Sequence, residues 1–234
     1  MNTRLIKIGT AALLFAATQP SHAAVFGGVE FPEGAISFAD EVIGYEPAFG
    51  GGAIPTAANQ GAPNSLGAPD YSGGAGCASQ ASCPFVSLGD GGRLVLRFVD
   101  NLLTGSNSDS DDLWIFEVGP DVEDTAVDIS QDGSTWFSIG SVTGSTRGID
   151  IDPYLLTNGF SWDAAFSYVR LTDDTNEGDQ GGASVGADID AVGAISTVFV
   201  PPGVPEPATW ATMIAGFGLI GTVMRRRGRL VLPV

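Results

Sequence analysis

The chain has 234 residues, with 10 Lys plus Arg against 27 Asp plus Glu and a formal charge of −17, enough for one domain of ordinary size with flanking segments. Between Ala24 and Val204 only Arg93, Arg97, Arg147 and Arg170 oppose every acid except Glu206, and so acidic a middle excludes nucleic acid as a partner, because phosphate binding needs a basic surface. The only His is His22 and the only Lys is Lys7, so a mature chain that starts after them has no Ser-His-Asp triad, lysine Schiff base or His-ligated zinc.

At the N-terminus, Arg4 and Lys7 precede an apolar stretch from Ile8 to Ala17, and the small residues Ser21 and Ala23 stand before Ala24. This pattern predicts a signal peptide over 1–23, read by the Sec export machinery and cleaved after Ala23. The apolar stretch is well short of the roughly 20 residues that a membrane span needs. From Gly44 to Gly76 the composition predicts loops. Cys77 and Cys83 follow, and in an oxidising exterior they are expected to pair as a disulfide; two cysteines without His are too few for a structural zinc site.

Alternation of apolar residues then recurs in short windows: Leu94, Leu96, Phe98; Trp114, Phe116, Val118; Val127, Ile129; and Phe166, Tyr168 against Val169, Leu171. A period of two predicts strands. Glycine-rich turns separate them, including Gln131-Asp132-Gly133-Ser134 inside a predicted hairpin, and the 33 glycines show no collagen period. The fold expected is all-β, a jelly-roll-like sandwich over 24–200.

Three acidic clusters stand out: Asp109, Asp111, Asp112; Asp173, Asp174, Glu177, Asp179; and Asp188, Asp190. Calcium takes six to eight oxygens from flexible loops, and no EF-hand spacing is present. Alternation places Asp188 and Asp190 on one strand face, where they repel unless solvated or bridged by a cation. Asp173, Asp188 and Asp190 are therefore the expected core of a structural calcium site, with Asp70 and Glu117 as further members. A solvated acidic surface is the competing reading. For glycan binding, Trp136, Trp162, Tyr154 and Tyr71 are the candidate stacking residues, while Trp114 is expected in the core. No catalytic pair is singled out. A carboxylate-dependent glycoside hydrolase remains the enzymatic alternative to a binding module or a purely structural matrix protein.

Leu66-Gly67-Ala68-Pro69-Asp70, Val86-Ser87-Leu88-Gly89, Leu113 to Val118, Val127 to Trp136, Tyr168 to Asp173 and Ala187 to Val192 occur in an order similar to that of bacterial cell-surface proteins with a galactose-binding-like, discoidin-type sandwich. That resemblance implies a jelly roll whose loops bind glycans in some relatives, often with a structural ion.

At the C-terminal end, a Pro-rich linker at 201–204 leads into Pro205-Glu206-Pro207. An uncharged run over 208–224 and then Arg225-Arg226-Arg227-Gly228-Arg229 follow, with a tail at 230–234. Seventeen helical residues span about 25 Å, at the low end for a transmembrane helix, and the arginines place that end in the cytoplasm with the acidic domain outside. Residues 205–229, with Trp210 and Gly216-Phe217-Gly218 between the tripeptide and the arginines, resemble the PEP-CTERM protein-sorting signal. The resemblance implies a Gram-negative bacterium, processing by an exosortase near Pro205-Glu206-Pro207, a transient membrane intermediate, and a destination at the cell surface or in an exopolysaccharide or biofilm matrix.

Overall fold

The computed structural model describes residues 22–74, 76–118, 123–176 and 181–199. The signal peptide expected over 1–23, apart from its last two residues, lies outside them, as do Glu177, Asp179, the linker at 201–204, the sorting segment and the tail at 230–234. Among the described residues no helix is long and apolar enough to cross a membrane.

In chain order the strands are β1 (Ala24–Phe26), β2 (Val29–Phe31), β3 (Glu41–Glu46), β4 (Val86–Ser87), β5 (Arg93–Arg97), β6 (Asn101–Leu103), β7 (Leu113–Glu117), β8 (Asp124–Ser130), β9 (Phe137–Thr143) and β10 (Thr146–Ile149). A short helix α1 (Asp152–Thr157) follows, then β11 (Tyr168–Asp173), β12 (Asp188–Ala194) and β13 (Thr197–Phe199). Two antiparallel sheets form the sandwich, one ordered β10-β7-β12-β4 and the other β3-β5-β11-β8-β9, with β1-β2 and β13-β6 as two-stranded additions. The all-β sandwich expected from the alternation is present.

Its core follows from period-two patterning. Leu94 and Leu96 of β5, Val169 and Leu171 of β11, and Val127 and Ile129 of β8 face Leu113 and Ile115 of β7 and Ile189, Val192 and Ala194 of β12. The turn between β8 and β9 closes where expected. Asp132 Oδ1 accepts the backbone N–H groups of Ser134 and Thr135, both at 2.8 Å, an Asx-type turn that fixes the hairpin.

The four-stranded sheet is covered on its other face too. Gly27 and Gly28, both at positive φ, connect β1 to β2 in the two-residue turn that such glycines favour, and the hairpin brings Phe26, Val29 and Phe31 over that face. There Phe31, Phe38, Phe116 and Ala191 form a second apolar layer, with Trp114 packed against it. A Cβ on Gly193 would stand 2.7 Å from Phe31 and 2.8 Å from Phe38, so this strand position admits only glycine without displacing the layer. Trp114, expected in the core, is instead only partly buried and packs against this outer layer, because the strand's phase turns its neighbours Leu113 and Ile115 into the space between the sheets.

Cys77 and Cys83 form a disulfide, with Cα atoms 4.8 Å apart. The bridge closes a loop around a turn in which Ser79 and Ser82 cap each other. Closing so short a loop removes little unfolded-state entropy, about 2 kcal/mol. Cys77→Ser should therefore lower the unfolding free energy by about 2 kcal/mol and the urea midpoint by about 1 M. An unchanged midpoint would show that the bridge contributes nothing to stability.

Candidate functional site

Asp173, Asp188 and Asp190, the expected core of the ion site, are buried, and each meets its own set of donors. Asp173, the last residue of β11, accepts the N–H of Ala187 at 2.8 Å and that of Gly91 at 3.0 Å. Asp188 accepts the hydroxyl of Ser87, whose carbonyl accepts the phenol of Tyr45 at 2.7 Å. Asp190 accepts the N–H groups of Asp70 and Tyr71, both at 3.2 Å. Burial pushes all three carboxyls up to about 6, against the partial pull of these donors, and the neighbouring Asp70 adds to the effect at Asp190. Asp70 itself is exposed and Glu117 is buried.

The reason for this burial lies in β12. Its register against β7 steps from Ile189↔Glu117 to Ala191↔Phe116, a bulge that leaves Asp190 as the extra residue. Core-facing positions change there from 187 and 189 to 192 and 194. Asp188 and Asp190 do share the other face, as alternation predicts, but Asp190 lies beneath Asp70 and Tyr71 and Asp188 against Ser87 and Tyr45 instead of solvent. Of the expected set, Asp70 and Glu117 lie beside Asp190, while Asp173 and Asp188 each hold other donors. Among the described residues, the carboxylates gathered closely enough to share an ion are Asp112, Asp150 and Asp152, with one oxygen from each within 4.8 Å of the others.

The four aromatic candidates occupy separate places. Tyr71 stands between two small clefts. One, of about 250 Å³, is bordered by Glu117 and Asp190; the other, of about 290 Å³, is bordered by Asp70 and Cys77. Both are at or below the lower limit of ordinary ligand pockets. Tyr154, on α1, lies over Gly140 of β9, where a Cβ would meet its hydroxyl at 2.8 Å. Trp162 is exposed, and its carbonyl accepts the N–H of Gly105 at 2.8 Å.

Trp136 belongs to a larger arrangement on the outer face of the five-stranded sheet. The Arg170 guanidinium lies 4.4 Å from its ring centroid, and Tyr168 meets it edge-on at 6.5 Å. Arg170 holds Asp128 through Nε at 2.9 Å and Nη2 at 2.8 Å. Arg97, directly opposite Tyr168 in the β5–β11 register, lies 5.6 Å over its ring and bonds Glu41 at 3.2 Å. Farther along β5, Arg93 lies 3.4 Å over the exposed ring of Phe49. Three of the four arginines between Ala24 and Val204 thus stand on one face, each against an aromatic ring. Sequence reasoning found Trp136 but missed its companions. Their signal was present, since Arg93, Arg97, Tyr168 and Arg170 occupy the solvent-facing alternate positions of two predicted strands.

A protein-family model described as the PEP-CTERM protein-sorting motif matches residues 203–227, a span that contains Pro205, Glu206, Pro207, Trp210, Arg225, Arg226 and Arg227. Among solved structures, the C-terminal domain of a chitobiase from Bacteroides fragilis is similar at 11% identity, covering 71% of this chain and 97% of that one with a TM-score of 0.34. No curated protein matches the chain. The sorting motif implies an exported protein of a Gram-negative bacterium that an exosortase processes on its way through the membrane to the cell surface.

Proposed function

We propose that the sandwich of this exported surface protein binds exopolysaccharide without cleaving it, through the face that carries Trp136, Tyr168, Arg97 and Arg170. The supporting observation is the array of rings and guanidinium groups fixed on a rigid sheet. Aromatic rings offer apolar faces to the C–H faces of sugars, and planar arginines offer donors to their hydroxyls. The ion pairs with Asp128 and Glu41 hold the arginines in place. They also leave the face locally balanced in charge, within an acidic domain that would otherwise repel acidic polysaccharide. An open sheet face suits a chain-like ligand better than the clefts beside Tyr71. The reading as a binder over a hydrolase is supported by the bonding of Asp173, Asp188 and Asp190, whose oxygens accept backbone and hydroxyl donors that build the fold.

Affinity electrophoresis tests this reading. The processed protein should be retarded in gels containing the producer's own exopolysaccharide, and Trp136→Ala should weaken that retention about tenfold or more, as removal of a central aromatic contact does. Absence of retardation in the wild type would favour a structural matrix protein, and release of reducing ends would favour the hydrolase.

A further inference from the structure

We infer that Asp112, Asp150 and Asp152 hold one calcium ion, which clasps the segment leading into β7 to the start of α1. Register assembles the group. β7 and β10 pair with Leu113 opposite Ile149, and the Asp112 N–H donates to Ile149 O at 2.9 Å. The residue before β7 and those after β10 therefore meet at one end of the sheet. Asp112 is fully buried; its Oδ1 accepts the Ser196 hydroxyl at 2.7 Å and its Oδ2 the Ile151 N–H at 3.1 Å. Asp150 Oδ1 accepts the Asp152 N–H at 3.0 Å.

The observation that points to a ligand is at Asp152. This side chain is only 8% exposed. Its Oδ2 accepts the Ser108 N–H at 3.1 Å, with the Ser106 hydroxyl at 3.5 Å, whereas Oδ1 is buried with no hydrogen-bond partner. A buried, half-satisfied carboxylate beside two others is an arrangement that native structures avoid unless something neutral or positive completes it. No described arginine does so: Arg97 and Arg170 are paired with Glu41 and Asp128, Arg147 Nε donates to Thr143 O at 2.8 Å, and Arg93 lies over Phe49. Asp109 and Asp111 add further negative charge near Asp150, raising its carboxyl after burial itself, and burial also raises that of Asp112.

The chemistry of the donors selects the ion. All are hard oxygens, three carboxylates with the Ser106 and Ser108 hydroxyls close by on an irregular loop rich in Ser, Asn and Asp. Calcium accepts such flexible, many-oxygen surroundings, whereas magnesium demands a tight octahedron and dehydrates reluctantly. This site is separate from the carbohydrate reading above and stands whether or not that reading does.

Isothermal titration of the processed protein, stripped with chelator, should find one calcium per chain. Millimolar calcium should raise the unfolding midpoint at pH 7.5 by about 5–10 °C, the effect expected for a site near saturation on a domain of this size, and equal magnesium should raise it less. Asp150→Asn, at the more exposed edge of the group, should lose most of that response while remaining folded in chelator. Asp112→Asn with Asp152→Asn should abolish it. Asp188→Asn should keep it in full. A wild type that neither binds calcium nor gains stability from it would overturn the inference, leaving the three carboxyls to be accommodated by protons alone. A response that survives Asp150→Asn and disappears in Asp188→Asn would overturn it equally, by placing the ion at β12.

Discussion

In chelator, the processed protein should unfold at a midpoint about 10 °C higher at pH 5 than at pH 7.5, the reverse of the usual weakening of proteins in acid. The expectation rests on Asp173, Asp188 and Asp190, each buried and each with its carboxyl pushed up to about 6, against about 3.9 in an unfolded chain. The groups facing them do not offset the burial. Asp90 and Asp174 lie near Asp173, Tyr45 near Asp188 and Asp70 near Asp190, all acids or a neutral phenol. Because the folded pKa is the higher one, the native state binds protons that the unfolded chain does not. Stability therefore falls as pH rises from about 4 to about 6, and the penalty is complete above about 7.

At pH 5, one unit below the folded value, each group has regained about 1.4 kcal/mol relative to pH 7.5, so three supply about 4 kcal/mol. At 2–4 °C per kcal/mol for a domain of this length, that is about 10 °C. Asp188→Asn keeps an acceptor for the Ser87 hydroxyl and removes the charge. It should unfold above the wild type at pH 7.5 and reduce the pH difference by about a third. A wild-type midpoint at pH 7.5 equal to or above that at pH 5 would refute the assignment.

These aspartates also show where the sequence was legible and where it was not. Alternation in Leu94-Val95-Leu96 and in Val169-Arg170-Leu171 gave both the strands and their inward faces, because one side of that sheet meets the core and the other meets water. The same rule applied to Asp188-Ile189-Asp190-Ala191-Val192 placed the two carboxylates on one side correctly. It could not show that the side is covered, since Asp70 and Tyr71 lie over Asp190 from about 120 positions earlier in the chain, and Phe31 and Phe38 cover Ala191 and Gly193 farther along the strand. A local clue existed in Phe26-Gly27-Gly28-Val29, a hairpin signal with aromatics beside it. The acidic group at Asp112 was harder to find. Asp112 and Asp150 are 38 positions apart, and nothing in their spacing relates them. Only the register of β7 on β10 does, and register is fixed by the packing of the whole sandwich. The aromatic face was within reach, because cross-strand neighbours such as Arg97 and Tyr168 lie at matching positions of two strands that the pattern had already identified.

Replacing Pro205, Glu206 and Pro207 together by alanine should stop processing altogether, the second large effect expected. The segment expected to be held in the membrane during export is the uncharged run over 208–224 with the arginines that follow it, within the span of the sorting motif at 203–227. Seventeen residues span a bilayer only marginally. With the run held in the membrane, Arg225, Arg226 and Arg227 would resist passage and leave that end in the cytoplasm, with the tripeptide on the outer side. An exosortase reading the tripeptide there would separate the acidic domain from the basic segment beyond the motif. The wild type should therefore be recovered outside the inner membrane with a mass short of the segment beyond the motif, and the triple-alanine chain should accumulate at full length in the membrane fraction. Arg225→Gln, Arg226→Gln and Arg227→Gln together should act differently, letting part of the chain slip through uncut, because they weaken the stop while leaving the tripeptide intact. Processing of the triple-alanine chain at the wild-type rate would show that the peptidase reads the helix and arginines alone.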